Sequence, residues 1–560
     1  MKFLMKSFKF CILLIVAVFI SQPTFAQETQ FTRADTLRGS ITPQRAWWEV
    51  VYYDLNVTVM PQDSAIRGYN KITYRVIDEP VAMQIDLQQP LRIDQITQNG
   101  QKLDYHRVGQ SAAYFVDVPR DLMEDSLYTI TVYYHGQPIV AERPPWDGGF
   151  VWTQDSLGNP WVTTAVQGLG ASAWWPNKDH QSAEPDSMSI NITVPDPMVD
   201  VSNGRLRDVS HHENGMTTYS WFVSNPINNY TVAVNAGNYV NFTDTYEGKK
   251  GTLDLSYWVL ESDLKKAKEQ FQQVKPMMRC FEKWFGPYPF YEDSFKLVQV
   301  PYLGMEHQSA VAYGNHFENG YLGTDLSGTG WGLKWDFIII HESAHEWWGN
   351  SITSKDIADM WVHESFANYA EGIYTECLFG EKAGAEYIIG LRDRIQNDRP
   401  IIGEYGVNYS GSGDMYYKGS NMLHTIRHII SDDSTWKSIL LGLQKDFRHQ
   451  TVTGQQIENY INERVEYDLD PVFDQYLRHT EIPVFQYYIE NGTLHYRWMN
   501  VIEDFDMPIK VTLDEGSYSF IHPIEGKWKT AEINLENPDS FKVNKNFYVK
   551  VGKVNRDSFR

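Results

Sequence analysis

Between about Trp47 and Val240, apolar and polar side chains alternate in short runs, the period of half-buried strands. Residues 50–59 and 72–76 are rich in β-branched and aromatic types, and Asn99-Gly100 offers a tight turn between such runs. This predicts a large antiparallel β domain. Near Asp263 the period lengthens to that of a helix: residues 264–285 are amphipathic and stop at Gly286-Pro287-Tyr288-Pro289. An apolar strand, 295–300, then leads into Gly304-Met305-Glu306. Two helices follow, one growing out of the apolar run 336–340 and stopping near Gly349, the other covering about 359–378 and closed by Gly380. After the Gly- and Ser-rich loop 406–413, Tyr416-Tyr417-Lys418-Gly419 opens another helix, and helical texture persists to about Arg478. Strands return at the end, with Asn491-Gly492 as the turn of a hairpin over 487–496.

The polar positions of the two central helices carry candidate chemistry. His341 and His345 are four apart, so both imidazoles lie on one helix face and can reach one metal ion. After eighteen intervening residues, Glu364 near the start of the second helix supplies a third ligand, giving a His-His-Glu zinc site, one zinc per chain, with one position open. Glu342 follows one ligand and precedes the other by three, placing it beside the metal as a general base rather than a ligand. Trp347 and Trp348 read as core and pocket wall. Asp359 reads as a helix cap or as a group orienting a ligand histidine.

Composition narrows the class. The 560 residues are 42% hydrophobic and 21% charged, a globular balance at a length implying several domains. Residues 1–26 have the form of a secretory signal: Lys2, Lys6 and Lys9, an apolar stretch over 10–20, and Thr24-Phe25-Ala26 before Gln27. The apolar stretch is short for a membrane span, so an exported periplasmic or extracellular protein without stable membrane insertion is expected. Removing it takes three lysines and moves the net charge from −22 to −25, which argues against nucleic acid as a partner. Two cysteines then remain, Cys280 and Cys377, far apart in sequence and both in helical contexts; two free, buried thiols are expected.

These motifs resemble one family, the gluzincin zinc aminopeptidases, which include aminopeptidase N and leukotriene hydrolase. Residues 341–353 resemble its H-E-x-x-H-x-W-x-G-N-x-x-T. Trp361 to Glu364 resembles W-L-N-E, with His363 in the Asn place. Gly304-Met305-Glu306 resembles G-x-M-E-N, with Leu303 replacing the Gly and His307 the Asn. Tyr416-x-Lys418-Gly419 is similar to Y-x-K-G. The resemblance implies His341, His345 and Glu364 as zinc ligands and Glu342 as general base. It implies Tyr416 as the donor to a tetrahedral oxyanion. Glu306 would hold a free α-ammonium, with Gly304 and Met305 along the peptide and Gln167 touching the same amine.

The implied fold is α+β and multidomain. A signal peptide over 1–26 precedes an N-terminal antiparallel β saddle (27–245), a thermolysin-like zinc catalytic domain (246–478) and a small C-terminal β sandwich (479–560). The chain ends without the large helical domain that covers the active site in many relatives, which implies a more open cleft. The implied activity is hydrolysis of the first bond of peptides with a free N-terminus. The rivals are a zinc endopeptidase, which needs no amine anchor, a leukotriene-type epoxide hydrolase, and an inactive relative that only binds.

Overall fold

The computed structural model describes residues 30–555. The signal-like segment lies outside them.

The alternating N-terminal runs fold into an eight-stranded sheet built around the strand Trp48–Met60. Val50, Tyr53, Leu55, Val57 and Val59 of that strand are buried, and the residues between them face outward. Its pairing with Ala65–Val76 is antiparallel, as the pattern predicts. Its other neighbour, Ser187–Pro195, runs parallel to it, a pairing that local alternation does not reveal. A second, four-stranded sheet contains Pro160–Ala165, the strand that delivers Gln167 to the centre of the molecule.

The chain then enters a five-stranded sheet ordered Tyr239–Gly248, Gly251–Leu260, Phe295–Gln299, Val311–Tyr313, Gly304–Met305. The last of these is the edge strand. Val298, Val300, Tyr302 and Met305 pack into the same core as the N-terminal strands. The Tyr302 hydroxyl also donates to Thr164 O at 2.7 Å, fixing the approach to Glu306 against the approach to Gln167.

Residues 264–285 form two helical pieces, Leu264–Gln270 and Val274–Phe285, joined through a tight turn and stopped by Gly286 at φ 99°. The expectation of two free thiols is overturned: Cys280 and Cys377 form a disulfide, with Cα atoms 6.1 Å apart. Sequence distance concealed this. The helices Val274–Phe285 and Trp361–Phe379 pack side by side, Phe281 meeting Tyr374 and Cys280 lying against Ile373 O, so 97 residues of separation collapse to a contact.

At the C-terminal end Val484–Glu490 and Thr493–Met499 form the expected hairpin. Asn491 (φ 48°) and Gly492 (φ 77°) make its turn. Phe485, Leu494 and Trp498 from these strands join the core of the central helices. Among the described residues no helix is long and apolar enough to cross a membrane.

Candidate active site

The helix Phe337–Ala344 is buried on every face, which holds its polar side chains rigidly. Asp336 caps it, accepting from Ile338 N (3.0 Å) and Ile339 N (3.3 Å). The α-helix ends at Ala344, so His345 sits at its C-terminal boundary and the next residues tighten into turns. Gly349 turns the chain back at φ 128°. A Cβ there would lie 3.3 Å from the rings of both His345 and His363, so glycine allows the loop to close on the ligand histidine. Trp347 and Trp348 are fully buried in the core and do not line the cleft, so the pocket-wall part of their reading is corrected.

The helix Trp361–Phe379 brings Glu364 in its first turn and ends at Gly380 with φ 92°. Asp359 neither caps it nor touches a histidine. It accepts from Tyr405 Oη (2.7 Å) and Gly454 N (2.8 Å), pinning the start of this helix to two distant segments.

One potential ligand atom from each of His341, His345 and Glu364 falls within 4.8 Å of the others, and all three residues are buried. The hydrogen bonds around them fix what those atoms offer. His345 Nδ1 meets the Trp348 carbonyl at 2.9 Å, an acceptor, so Nδ1 carries the proton and Nε2 presents a lone pair. His341 Nδ1 meets Glu371 Oε1 at 2.7 Å with the same consequence. The two Nε2 atoms then face each other at 3.3 Å, and Glu364 Oε2 lies 3.3 and 3.6 Å from them. Three buried lone pairs converging without an intervening donor repel one another unless a cation occupies the centre. The carboxylates around the centre demand positive charge at the same place, whether a metal ion or protons on the imidazoles supply it. Burial pulls His345 down, yet Glu364 outweighs it and raises its pKa to about 9. Burial pushes Glu364 up, but His345 and His341 hold it well below the usual carboxylate range. The triad fits a zinc ion.

Glu371 is a residue that sequence reasoning missed. It lies seven positions after Glu364, two turns along the same helix face, and that spacing was the available signal. It also accepts from Asn368 Nδ2 (2.8 Å) and Tyr387 Oη (2.6 Å), so its carboxylate is held from three sides.

Glu342 projects into the same cleft, a cavity of about 550 Å³. Burial pushes its pKa up to about 7, with His341 opposing and Glu306 reinforcing. Tyr416 precedes the helix Tyr417–Ile430 and stacks near His341, ring centroids 6.0 Å apart. Its hydroxyl interacts with Glu364, and burial followed by the charges of Glu364 and Glu306 keeps it protonated. The residues after it explain the Y-x-K-G spacing. Lys418 Nζ is tied to His479 O at 2.7 Å. A Cβ on Gly419 would fall 1.9 Å from Ser365 Oγ, so only glycine lets this helix seat against the one carrying Glu364.

Glu306, just past the edge strand, is 2% exposed. Gln167 Nε2 donates to its Oε1 at 2.6 Å and also reaches Glu364 Oε1 at 3.2 Å. Tyr230 Oη donates to the same Glu306 oxygen at 3.0 Å; the sequence, with 34 tyrosines, gave no reason to choose it. Asn350 Nδ2 holds the Glu306 carbonyl at 2.9 Å, which assigns work to the Asn of the extended histidine motif. His363, in the place of the motif Asn, accepts from Ser354 N at 2.8 Å. His307 is fully buried and burial pulls its pKa down to about 3, so it is a neutral ring behind the edge strand.

Residues 269–476 match the peptidase family M1 domain. A leucyl aminopeptidase of Saccharolobus solfataricus is 22% identical over 353 residues, 60% of this chain and 44% of that protein. An aminopeptidase N of Lactobacillus helveticus is 23% identical over 468 residues, 79% of this chain and 52% of that protein. The chain thus spans about half the length of the curated relatives it matches. Among solved structures, an M1 zinc metallopeptidase from Deinococcus radiodurans superposes with a TM-score of 0.65 at 20% identity, covering 80% of this chain and 98% of that one. Residues 269–476 therefore match the peptidase family M1 domain, the same stretch that holds the zinc and tyrosine motifs resembling the gluzincin aminopeptidases.

Proposed function

We propose that this protein is a zinc aminopeptidase that removes the first residue from peptides with a free N-terminus. The observation that carries the reading is Glu306. It is a buried carboxylate held by two neutral donors, Gln167 and Tyr230, and no Lys or Arg pairs with it among the described residues. Burial raises its pKa, the mark of a carboxylate short of positive charge, and a substrate α-ammonium supplies that charge. An endopeptidase has no use for such a group at this place.

The chain's own residues then divide the work. His341, His345 and Glu364 would hold the metal, with Glu371 orienting His341 from behind. Zinc bound there supplies a Lewis acid that polarises a carbonyl and acidifies nearby water. Glu306 and Gln167 position the amine, and with it the first peptide carbonyl over the triad. Glu342 takes a proton from the attacking water and returns it to the leaving amine. Tyr416 donates to the oxyanion that develops on the carbonyl oxygen. The solved Deinococcus radiodurans neighbour has been captured with a Tyr-Ser-Ala substrate, which supports peptides as the substrate class.

Export to the periplasm or beyond belongs to the same proposal. It rests on the signal-like first 26 residues and on the Cys280–Cys377 disulfide, a bond that persists in oxidising compartments.

The test is a panel of aminoacyl amides with N-acetylated controls, run before and after chelation. Free-amine substrates should be cleaved, acetylated ones not, and activity should vanish and return with zinc. Efficient cleavage of internal bonds in N-blocked peptides would put an endopeptidase in its place.

A further inference from the structure

The cleft has a second charged end that the reaction as described leaves unused. Around Glu306 stand Gln167, Tyr230, His345 and Glu364. Another part of the lining lies beside Glu342: Phe337 stacks on His341 at 5.1 Å between centroids, Tyr321 packs on Phe337 at 5.2 Å, and Tyr417 and Arg394 complete the wall. Arg394 closes the turn Leu391–Arg394, and its Nε donates to Leu326 O at 2.6 Å. That bond uses one edge of the guanidinium and leaves both terminal amino groups without a carboxylate partner among the described residues. Tyr321 and Tyr417 both lie close enough to feel its charge, which opposes the rise that burial imposes on their hydroxyls.

The direction of a bound peptide follows from the proposed aminopeptidase reading, on which this inference rests. With the ammonium at Glu306 and the first carbonyl at the triad, Glu342 meets the leaving nitrogen, so the residues after the scissile bond run on towards Tyr321, Tyr417 and Arg394. A substrate carboxylate travelling that way enters a cleft already holding Glu306, Glu342 and Glu364, in a chain of net charge −22, and needs a cation to receive it. A planar guanidinium with a free fork is suited to bind a carboxylate through two parallel bonds.

We infer that Arg394 receives a substrate carboxylate downstream of the scissile bond, which makes this site selective for short peptides with a free C-terminus or for peptides with an acidic residue after the bond. Tyr321, Phe337 and Tyr417 form the apolar and aromatic passage between the reacting carbonyl and that cation.

The test compares kcat/KM for Leu-Gly and Leu-Gly-Gly with their C-terminal amides, and for Leu-Glu amide with Leu-Gln amide, on zinc-loaded wild type, Arg394→Ala and Arg394→Lys. Arg394 is exposed to solvent, so a preference of about fivefold for the carboxylate member of a pair is expected in wild type. The preference should fall to near one in Arg394→Ala and be partly kept in Arg394→Lys. A preference confined to the free-acid peptides identifies a main-chain carboxylate, and the peptide length at which it peaks reports the span of the cleft. A preference confined to the Leu-Glu pair identifies a side chain. Ratios near one for every pair in wild type, or a wild-type ratio that survives in Arg394→Ala, overturn the inference while leaving the aminopeptidase reading intact. Failure of zinc-loaded wild type to cleave any of these free-amine peptides overturns both.

Discussion

The two ends of the proposed catalytic cleft are built by opposite strategies. The metal end comes from two consecutive helices: His341 and His345 lie one turn apart, and Glu364 and Glu371 lie two turns apart on the next helix. Its geometry is set mainly by the 3.6-residue period and by burial of both helices. The amine end comes from three separated segments. Gln167 and Glu306 are 139 residues apart, Tyr230 and Glu306 76 apart, and they meet only because two sheets pack on one core. Local periodicity dictates the first end and tertiary packing the second. A substitution at the metal end should therefore alter the chemistry itself, and one at the amine end should alter who is bound.

Substitutions can sharpen or break that contrast. Glu342→Gln should keep about one zinc per chain and lose about 10²–10⁴-fold in kcat, the usual worth of a positioned general base. Metal analysis beside turnover checks it, and loss of zinc would turn Glu342 from base into ligand. Tyr416→Phe should lower kcat about 10²–10³-fold with a smaller change in KM, because in the proposed mechanism its hydroxyl acts on charge that exists only in the transition state. If Tyr417→Phe gave that profile and Tyr416→Phe were silent, the role would pass to the neighbouring ring, which also lines the cleft. Glu371→Gln removes the carboxylate behind His341 and should weaken zinc binding about 10–100-fold, read by titration against a competing chelator. Unchanged affinity would reduce Glu371 to a packing residue. Tyr230→Phe removes one neutral donor from Glu306 and should cost about 0.5–1.5 kcal/mol, seen mainly as a rise in KM for free-amine substrates. A fall in zinc content in that variant would show that the two ends are not separable.

The same division explains what the sequence alone could yield. The strand Trp48–Met60, the helix stops at Gly286 and Gly380 and the Asn491-Gly492 hairpin all follow from patterns within a dozen residues. So does the His341–His345 pair. Gln167 was reachable only through a loose resemblance, and Tyr230 not at all, since a hydroxyl that becomes a ligand partner looks like any other aromatic in a β run. Glu371 had a local signal in its seven-residue offset from Glu364, but its partner sits on a different helix. The parallel placement of Trp48–Met60 beside Ser187–Pro195, and the meeting of Cys280 with Cys377, depend on contacts that span the fold.

That last contact has a topological consequence. The bond between Cys280 and Cys377 closes a covalent ring, and Glu306, His341, Glu342, His345, Glu364 and Glu371 all lie inside it. Gln167, Tyr230 and Tyr416 lie outside. In an oxidised chain that has lost its tertiary packing, the metal donors remain tethered to one another, their spread limited by the loop, while Gln167 and Tyr230, the partners of the proposed amine anchor, and Tyr416, the proposed oxyanion donor, drift free. Oxidation thus keeps one half of the cleft within reach of itself and leaves the other half to be gathered by the packing of two sheets.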